Sequence, residues 1–269
     1  MTTAFLLVTL ACIFALYMAW NIGANDVANS MAPSIGSGVV SLKKAIWIAA
    51  IAEFAGAILV GSSVTSTIRK GIVDPAIFAG NPEEFMLGMT AALLGAALWL
   101  HAATLLGLPV STTHSIVGAV IGFGLVAKGA GSLNYGTLFS IVMSWVVSPV
   151  SGGILGFGIF YFVRVKILAS RDQNESCRFY APYILFVFVV VFIQSFIFKG
   201  IKNLKLPVTF WTVLLLGAII GALVFIGSRY WFSRRGKGQE DFSDRFFKFL
   251  LVATCGYVAF AHRANDVAN

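Results

Sequence analysis

The side chains best suited to chemistry lie in a short polar motif that the sequence carries twice. GANDVAN at residues 23–29 returns as RANDVAN at residues 263–269, so six of the seven positions match. A carboxylate beside a long apolar run is costly in a membrane and marks a functional site by default. Asp26, with the amide oxygens of Asn25 and Asn29, offers an oxygen-only ligand set that suits a hard cation such as sodium. The alternative is that Asp26 only caps a helix.

A second candidate site is the hydroxyl cluster Ser111-Thr112-Thr113, which follows Pro109. Proline interrupts a helix, so a new helix can begin just after it. The start of a helix presents unpaired N–H groups and the positive end of the helix dipole, and both attract an anion. Three hydroxyls beside such a start predict an anion-binding segment. A plain helix cap is the simpler explanation of the same residues.

Other polar residues inside apolar runs leave two explanations open. Glu53 is either a ligand of a coupling ion or a structural partner for a hydroxyl or amide, because an unpaired carboxylate is costly there. His114 either relays protons or hydrogen-bonds to its neighbours, and His101 and His262 are interpreted as packing residues at helix ends. The sequence contains no nucleophile motif or carboxylate pair at catalytic spacing. It therefore predicts no enzyme, no catalytic residue, no cofactor and no metal site beyond a sodium site.

The composition places the chain in a membrane. Of its 269 residues 58% are hydrophobic and only 11% are charged, whereas a soluble domain carries about 25% charged residues. The net charge of +8 does not indicate nucleic-acid binding, because Lys and Arg occur in short clusters between apolar runs, as in the loops that orient membrane proteins. None of the three cysteines forms a CxxC pair, so neither a disulfide framework nor a zinc site is indicated.

The apolar runs predict an all-α, multi-spanning helical bundle. About 20 apolar residues cross a bilayer, and eight runs are candidates. We expect helix breaks at residues 21–38 and 108–114, since irregular polar backbone at membrane depth must line a cavity or be buried. One set of loops holds twelve Lys and Arg residues and the other holds six, so the first set is expected on the cytoplasmic side of the plasma (inner) membrane. The predicted runs are residues 4–20, 45–62, 86–107, 115–127, 137–163, 182–198, 208–227 and 246–262.

The two copies of the motif indicate an internal repeat, since the helices that precede them also align at the same offset. An odd number of spans separates the copies, so the second copy enters the membrane from the opposite side. Inverted repeats with broken helices are the architecture of secondary transporters. We expect a first repeat with the following span at 1–163, connecting loops with two spans at 164–245, and the start of the second repeat at 246–269.

Four stretches carry a resemblance to a known family. NIGANDVANSMAPSIGSGVVS at residues 21–41 and GLPVSTTHSIVGAVIGFG at 107–124 closely resemble the inorganic phosphate transporter (PiT) family, as do TIRKGI at 67–72 and the second motif. Members of that family are ion-coupled symporters, so the resemblance implies phosphate transport together with sodium or protons. By residue, it implies that phosphate binds to Ser111, Thr112 and Thr113, and that the coupling cation binds to Asn25, Asp26, Asn265 and Asp266. Phosphate, the cation and membrane lipid are the expected partners, and a homo-oligomer is left open.

The sequence departs from that family in two places. Arg263 stands where the family has glycine, and the sequence ends at Asn269, inside the second motif. We therefore expect the second repeat to be incomplete and this chain not to transport by itself. The alternatives are a symporter of the same fold for sulfate or another oxyanion, a non-transporting fragment, and a channel or scaffold without ion coupling.

Overall fold

The fold is a bundle of helices, seen here in a computed structural model that describes residues 3–60, 71–200, 209–234 and 241–266. Side chains are described for residues 5–59, 71–197, 209–234 and 241–263. Within these ranges the backbone forms eight α-helices and no β-strand beyond one isolated bridge between Val73 and Leu133. The helices are α1 (Thr3–Gly36), α2 (Leu42–Val60), α3 (Pro82–Leu105), α4 (Thr112–Lys128), α5 (Tyr135–Val163), α6 (Gln173–Gly200), α7 (Phe210–Arg234) and α8 (Phe242–Asp266).

Five of the described helices are long and apolar enough to cross a membrane, which confirms the predicted all-α membrane bundle. Their large apolar side chains remain exposed, and α5 contains no buried residue at all. Such a surface is stable only against lipid or another protein, because exposing so many apolar side chains to water is unfavourable. The chain is an integral membrane protein. The five spans are Phe5–Gly36, Pro82–Leu105, Tyr135–Leu168, Gln173–Ile197 and Phe210–Arg234.

The predicted break at residues 21–38 is wrong, because α1 continues through the polar motif to Gly36. Two of its polar side chains bond back to carbonyls of the preceding turn, and the helix continues through them. The Asn21 amide donates to the Tyr17 carbonyl at 2.8 Å, and the Ser30 hydroxyl donates to the Asp26 carbonyl at 2.9 Å. At 34 residues, α1 is about 51 Å long, well beyond the roughly 30 Å of a hydrocarbon core.

The second predicted break is confirmed, since α3 ends at Leu105 and α4 begins at Thr112. Gly107 has a φ of +68°, which a glycine adopts without strain, and its N–H closes the end of α3 by donating to the Thr104 carbonyl at 3.1 Å. Pro109 follows two residues later. With 17 residues, α4 is about 26 Å long, which is short for a spanning helix.

The chain forms two compact units, and the first comprises residues up to Met143 together with those from Val258 onward. In this unit α1 packs against α2 and α3, and α3 packs against α4. Alanines on α3 form much of the contact, because small side chains let helix backbones approach closely in a membrane. The buried ones are Ala92, Ala96, Ala97 and Ala103.

The second unit, Ser144–Tyr257, is built around the pair α6 and α7. Gly217 and Gly221, four residues apart on α7, allow this contact: a Cβ at Gly221 would lie 3.0 Å from Phe186 and 3.1 Å from Val190 on α6. This is the small-residue spacing typical of close helix pairs in membranes. The predicted segments 1–163, 164–245 and 246–269 follow the sequence repeat rather than contacts, and they stay a prediction.

Candidate functional site

The two asparagines of the first motif, together with Asn21 just before it, lie on one face of α1. Asn21, Asn25 and Asn29 recur every four residues, so their side chains stand one above the other along the helix. Asn21 is 2% exposed, and Asn25 and Asp26 are each 4% exposed. Buried polar groups in a membrane must find partners within the protein. The partners of these side chains must therefore lie on the elements that pack against this face of α1.

The Asn25 side chain finds its partners in the connection between α3 and α4. Its Nδ2 donates to the Thr104 hydroxyl at 3.3 Å and to the Leu108 carbonyl at 3.4 Å, and its Oδ1 accepts from the Val110 N–H at 3.4 Å. Residues more than 75 positions apart in the chain are thus joined through one amide. The Asn25 amide is paired with backbone groups that the break between helices leaves without helical partners.

Asn29, one turn further along α1, adds two hydrogen bonds to the same connection. Its Nδ2 donates to the Asn25 Oδ1 at 2.9 Å and to the Val110 carbonyl at 3.4 Å. The Asn25 oxygen therefore accepts from both Val110 and Asn29, and a cation at that oxygen would have to displace one of these donors. Asn25 as a cation ligand stays a prediction, and the contacts give its amide a second role as a holder of the connection. We call Asn25, Asn29, Thr104, Leu108 and Val110 the asparagine clasp.

The predicted hydroxyl cluster follows the clasp directly. Ser111 is the N-cap of α4: its backbone is extended, with φ −86° and ψ 122°, and its Oγ accepts from the His114 N–H at 3.3 Å. Ser111 is exposed, Thr113 is half-buried and Thr112 is only 3% exposed. The helix starts where the sequence predicted, and the three hydroxyl residues occupy its N-cap and first two positions. Such a start suits an anion.

Two carboxylates are buried in the same unit. Asp26 follows Asn25 on α1, and Glu53 on α2 is 9% exposed. Pro33 lies inside α1 and has no N–H, so the Asn29 carbonyl lacks its usual helical donor four residues on. An oxygen released in this way, close in sequence to a buried carboxylate, is the kind of ligand that a hard cation takes.

His101 makes a polar contact that the sequence does not indicate. Its Nδ1 lies 3.1 Å from the Asn21 Oδ1, and its ring centroid lies 5.8 Å from that of Tyr17. The residue packs between α1 and α3, as expected for a histidine near a helix end, but it also completes the hydrogen bonding of Asn21. Nothing in the sequence relates positions 80 residues apart.

The second copy of the motif lies at the end of α8. The backbone of α8 includes Asn265 and Asp266, but their side chains lie outside the described residues, so their roles stay predictions. Arg263 is half-buried, and its Nη1 is shielded from solvent and has no hydrogen-bond partner within the described part of the chain. The Nδ1 of His262 is likewise shielded and unpaired there. In the described ranges no three His, Cys, Asp or Glu side chains group as a metal site.

The apolar helices of spanning length and the buried polar motif define a class, that of integral membrane proteins with a polar site inside the bundle. A model of the phosphate transporter family matches residues 22–269, and the chain belongs to this family. Membership in a family of transporters confirms that it is not an enzyme.

Among the relatives, a candidate phosphate permease of Pyrococcus abyssi is 42% identical over 97% of the chain, and one of Haemophilus influenzae is 37% identical over 98%. A solved structure, named the sodium-dependent phosphate transporter, is 38% identical, with a TM-score of 0.84 over 97% of this chain. The chain spans 64% of the length of each of these three proteins.

Proposed function

We propose that this protein carries inorganic phosphate across the membrane in symport with a cation, and that sodium is the cation. The observation that carries the proposal is the asparagine clasp, which ties the start of α4 to the motif that holds Asp26. A helix start suits the anion, and a buried carboxylate suits the cation. The solved relative, whose name includes both sodium and phosphate, supports the same pair of ions.

Phosphate in this proposal binds to Ser111, Thr112 and Thr113. Each hydroxyl can donate to a phosphate oxygen while its own oxygen accepts a backbone N–H, as the Ser111 Oγ does from His114. The first backbone N–H groups of α4 have no helical acceptor, so they are further donors to the phosphate. Bonds to a charged oxygen are stronger than neutral ones, so a few donors suffice for selective binding.

The cation in this proposal binds beside Asp26. The Asn29 carbonyl, which lacks its helical donor because of Pro33, supplies a second oxygen. Asn25 contributes when one of its two donors is displaced, and Asn265 and Asp266 of the second motif complete the pair of sites. A monovalent cation bound to oxygens alone would offset the negative charge of phosphate in the membrane interior, where an unpaired charge is costly.

The clasp supplies a physical link between the two ions. A cation that draws the Asn25 oxygen must alter its bonds to Val110 and Asn29, and Val110 immediately precedes the hydroxyl cluster. The position of the phosphate-binding hydroxyls therefore depends on whether the cation is bound. Coupling between two sites requires such a differential contact, since a ligand shifts an equilibrium only by its difference in affinity for two states.

Binding and uptake of radiolabelled phosphate test the proposal. Purified protein should bind phosphate more tightly in sodium chloride than in potassium chloride, and proteoliposomes that contain a full-length relative should accumulate phosphate when a sodium gradient alone is imposed. Excess sulfate should compete weakly. Accumulation driven by a pH gradient but not by sodium would transfer the coupling to protons. Binding that sulfate abolishes and sodium leaves unchanged would contradict the assignment of both ions.

A further inference from the structure

One end of the second unit brings three helix ends together. The Asn174 side chain near the start of α6 accepts from the Ser243 N–H at the start of α8, at 2.9 Å. The rings of Phe232 at the end of α7 and Phe242 on α8 meet edge to face, with centroids 5.0 Å apart. The Arg178 guanidinium lies 5.2 Å from the centroid of Phe242. An aromatic core therefore joins these three helix ends, and a guanidinium lies against it.

A groove of about 470 Å³ opens at this end, which is within the range of about 300–1,000 Å³ typical of ligand sites. Its walls are almost entirely apolar and aromatic, and Trp231 and Phe249 are 50% and 62% exposed. The polar side chains of the lining are those of Arg245 and Ser228. The groove is lined by Leu185, Ser228, Trp231, Phe232, Phe242, Arg245, Phe246 and Phe249.

The charges around the groove are predominantly basic. The described residues at these helix ends include eight bases and four acids, an excess of four positive charges. One base and one acid neutralise each other, because Lys248 pairs with Asp244 at 2.6 Å. Arg245 has no ion pair within the described residues, is exposed and lines the groove. The bases are Arg164, Lys166, Arg171, Arg178, Arg229, Arg234, Arg245 and Lys248, and the acids are Asp172, Glu175, Asp241 and Asp244.

We propose that this groove binds an anionic glycerophospholipid, with the phosphate of the headgroup on Arg245 and an acyl chain against Leu185, Phe246 and Phe249. Basic clefts between the ends of membrane helices recognise anionic headgroups, and an exposed tryptophan is the side chain that membrane proteins place at the headgroup level. Arg245 suits the charged headgroup of such a lipid, and the apolar and aromatic lining suits an acyl chain. A free phosphate ion would use Arg245 and leave the aromatic wall facing water. An uncharged lipid would leave Arg245 unused.

Lipid binding to the purified full chain tests this site without any transport assay. Native mass spectrometry would count bound molecules of phosphatidylglycerol and phosphatidylcholine, each titrated into detergent-solubilised protein. Wild type should retain phosphatidylglycerol preferentially. Arg245→Gln should bind it about 10- to 150-fold more weakly, the cost of a lost hydrogen bond between charged groups, whereas Arg245→Lys should keep most of the affinity.

Arg234→Gln is the matched control, because it removes the same charge from an exposed residue that stacks on Tyr230 at 4.3 Å and does not line the groove. It should bind the lipid as wild type does. Equal binding of the two lipids, or equal losses in the two variants, would overturn the proposal. Displacement of phosphatidylglycerol by millimolar inorganic phosphate would also overturn it, because the site would then take the free ion. A far-ultraviolet circular dichroism spectrum checks that each variant is folded.

Discussion

At the level of single residues, the site depends on side chains that donate and accept at the same time. The Asn25 amide engages four partners, two through its nitrogen and two through its oxygen. An aspartate at this position would lose both donors, and an alanine would leave the Val110 N–H and the Leu108 carbonyl without this partner. Asn25 is therefore suited to hold a connection between helices, while the adjacent Asp26 carries the charge.

Asp26→Asn keeps the shape of the side chain and removes its charge. We expect phosphate binding to lose its response to sodium while the fold survives, because the cation site loses its carboxylate. Sodium affinity should fall at least tenfold, on the order of 1.4 kcal/mol. The measurement is a sodium titration of radiolabelled phosphate binding.

Asp74→Asn is the matched control for that variant. Asp74 is exposed and its side chain caps a short 3-10 turn by accepting from the Ala76 N–H at 2.9 Å, which asparagine does equally well. Its sodium response should equal that of wild type. A normal sodium response in Asp26→Asn, at matched protein, would remove Asp26 from the cation site.

Single replacements of Ser111, Thr112 and Thr113 by alanine should each weaken phosphate binding. Each removes one donor to a charged oxygen, which costs on the order of 1.5–3 kcal/mol, or roughly 10- to 150-fold in affinity. Ser111→Ala also removes the cap of α4, at about 1 kcal/mol of stability, so its melting temperature should fall with its affinity. Equilibrium binding of radiolabelled phosphate measures the first effect.

Ser140→Ala serves as the control for the hydroxyl series, because its Oγ donates to the Gly136 carbonyl on α5, away from the cluster. It should bind phosphate normally. If all three cluster variants also bind as wild type does, phosphate binds elsewhere.

The residues of the candidate site could be chosen from the sequence, but their contacts could not. A repeated Asn-Asp pair and a serine-threonine cluster after proline are visible as residue types at suggestive positions. The bonds from Asn25 and Asn29 to the segment 108–110 join positions 81 to 85 residues apart, and no local pattern encodes such a distance. His101 was missed for the same reason, since its partner Asn21 lies on another helix.

At the level of the elements, two proline-containing segments behave differently for a physical reason. Pro109 follows a glycine with positive φ that already ends α3, so the chain leaves the helix. Pro33 lies within α1, where the Ser30 and Ser34 hydroxyls donate to the carbonyls of Asp26 and Met31 and the helix continues. The sequence alone does not distinguish the proline that follows a helix break from the one inside a continuous helix. Only the local bonding, which a list of polar residues does not reveal, separates a break from a continuous helix.

Gly221→Val should destabilise the contact between α6 and α7. A Cβ there would already lie within 3.1 Å of Phe186 and Val190, and valine adds two further carbons. Overpacking of this kind costs about 1–3 kcal/mol, so the melting temperature in detergent should fall.

Gly227→Val tests whether valine itself is the cause, because position 227 lies on the same helix and a Cβ there meets nothing within 4 Å. Its melting temperature should stay close to that of wild type. Equal losses in the two variants would mean that the β-branched side chain, rather than the helix contact, is responsible.

At the level of the whole molecule, the apolar composition requires that the helices lie in a membrane. A chain with 58% hydrophobic residues leaves helices such as α5 with apolar surfaces on every side, and this is stable only in a membrane. The two compact units could not be predicted from the repeat, because the first unit joins the residues from Val258 onward to those up to Met143. Contacts between distant segments, rather than sequence similarity, define these units.

The proposed coupling between the two ions depends on contacts between separate helices, and Asn29→Ala should reduce it. Linkage requires that sodium raise the phosphate affinity by the same factor by which phosphate raises the sodium affinity, typically about 5- to 150-fold. The Asn29 side chain joins Asn25 to Val110 through bonds of 2.9 and 3.4 Å. The substitution removes these bonds and keeps the backbone carbonyl that we propose as a cation ligand. The variant should therefore bind each ion alone nearly as wild type does, while the coupling factor falls in both directions without reaching one, because the direct bond from the Val110 N–H to the Asn25 oxygen remains.

Asn21→Ala is the matched control for this prediction. Asn21 is a buried asparagine two turns earlier on the same helix, but its hydrogen-bond partners are Tyr17 and His101 rather than the segment that precedes the hydroxyl cluster. It should keep the coupling factor even if its stability falls. Titrations of each ion at zero and saturating concentrations of the other give four dissociation constants for each variant, and the two ratios must agree. An undiminished coupling factor in Asn29→Ala would mean that the ions communicate through contacts other than the asparagine clasp.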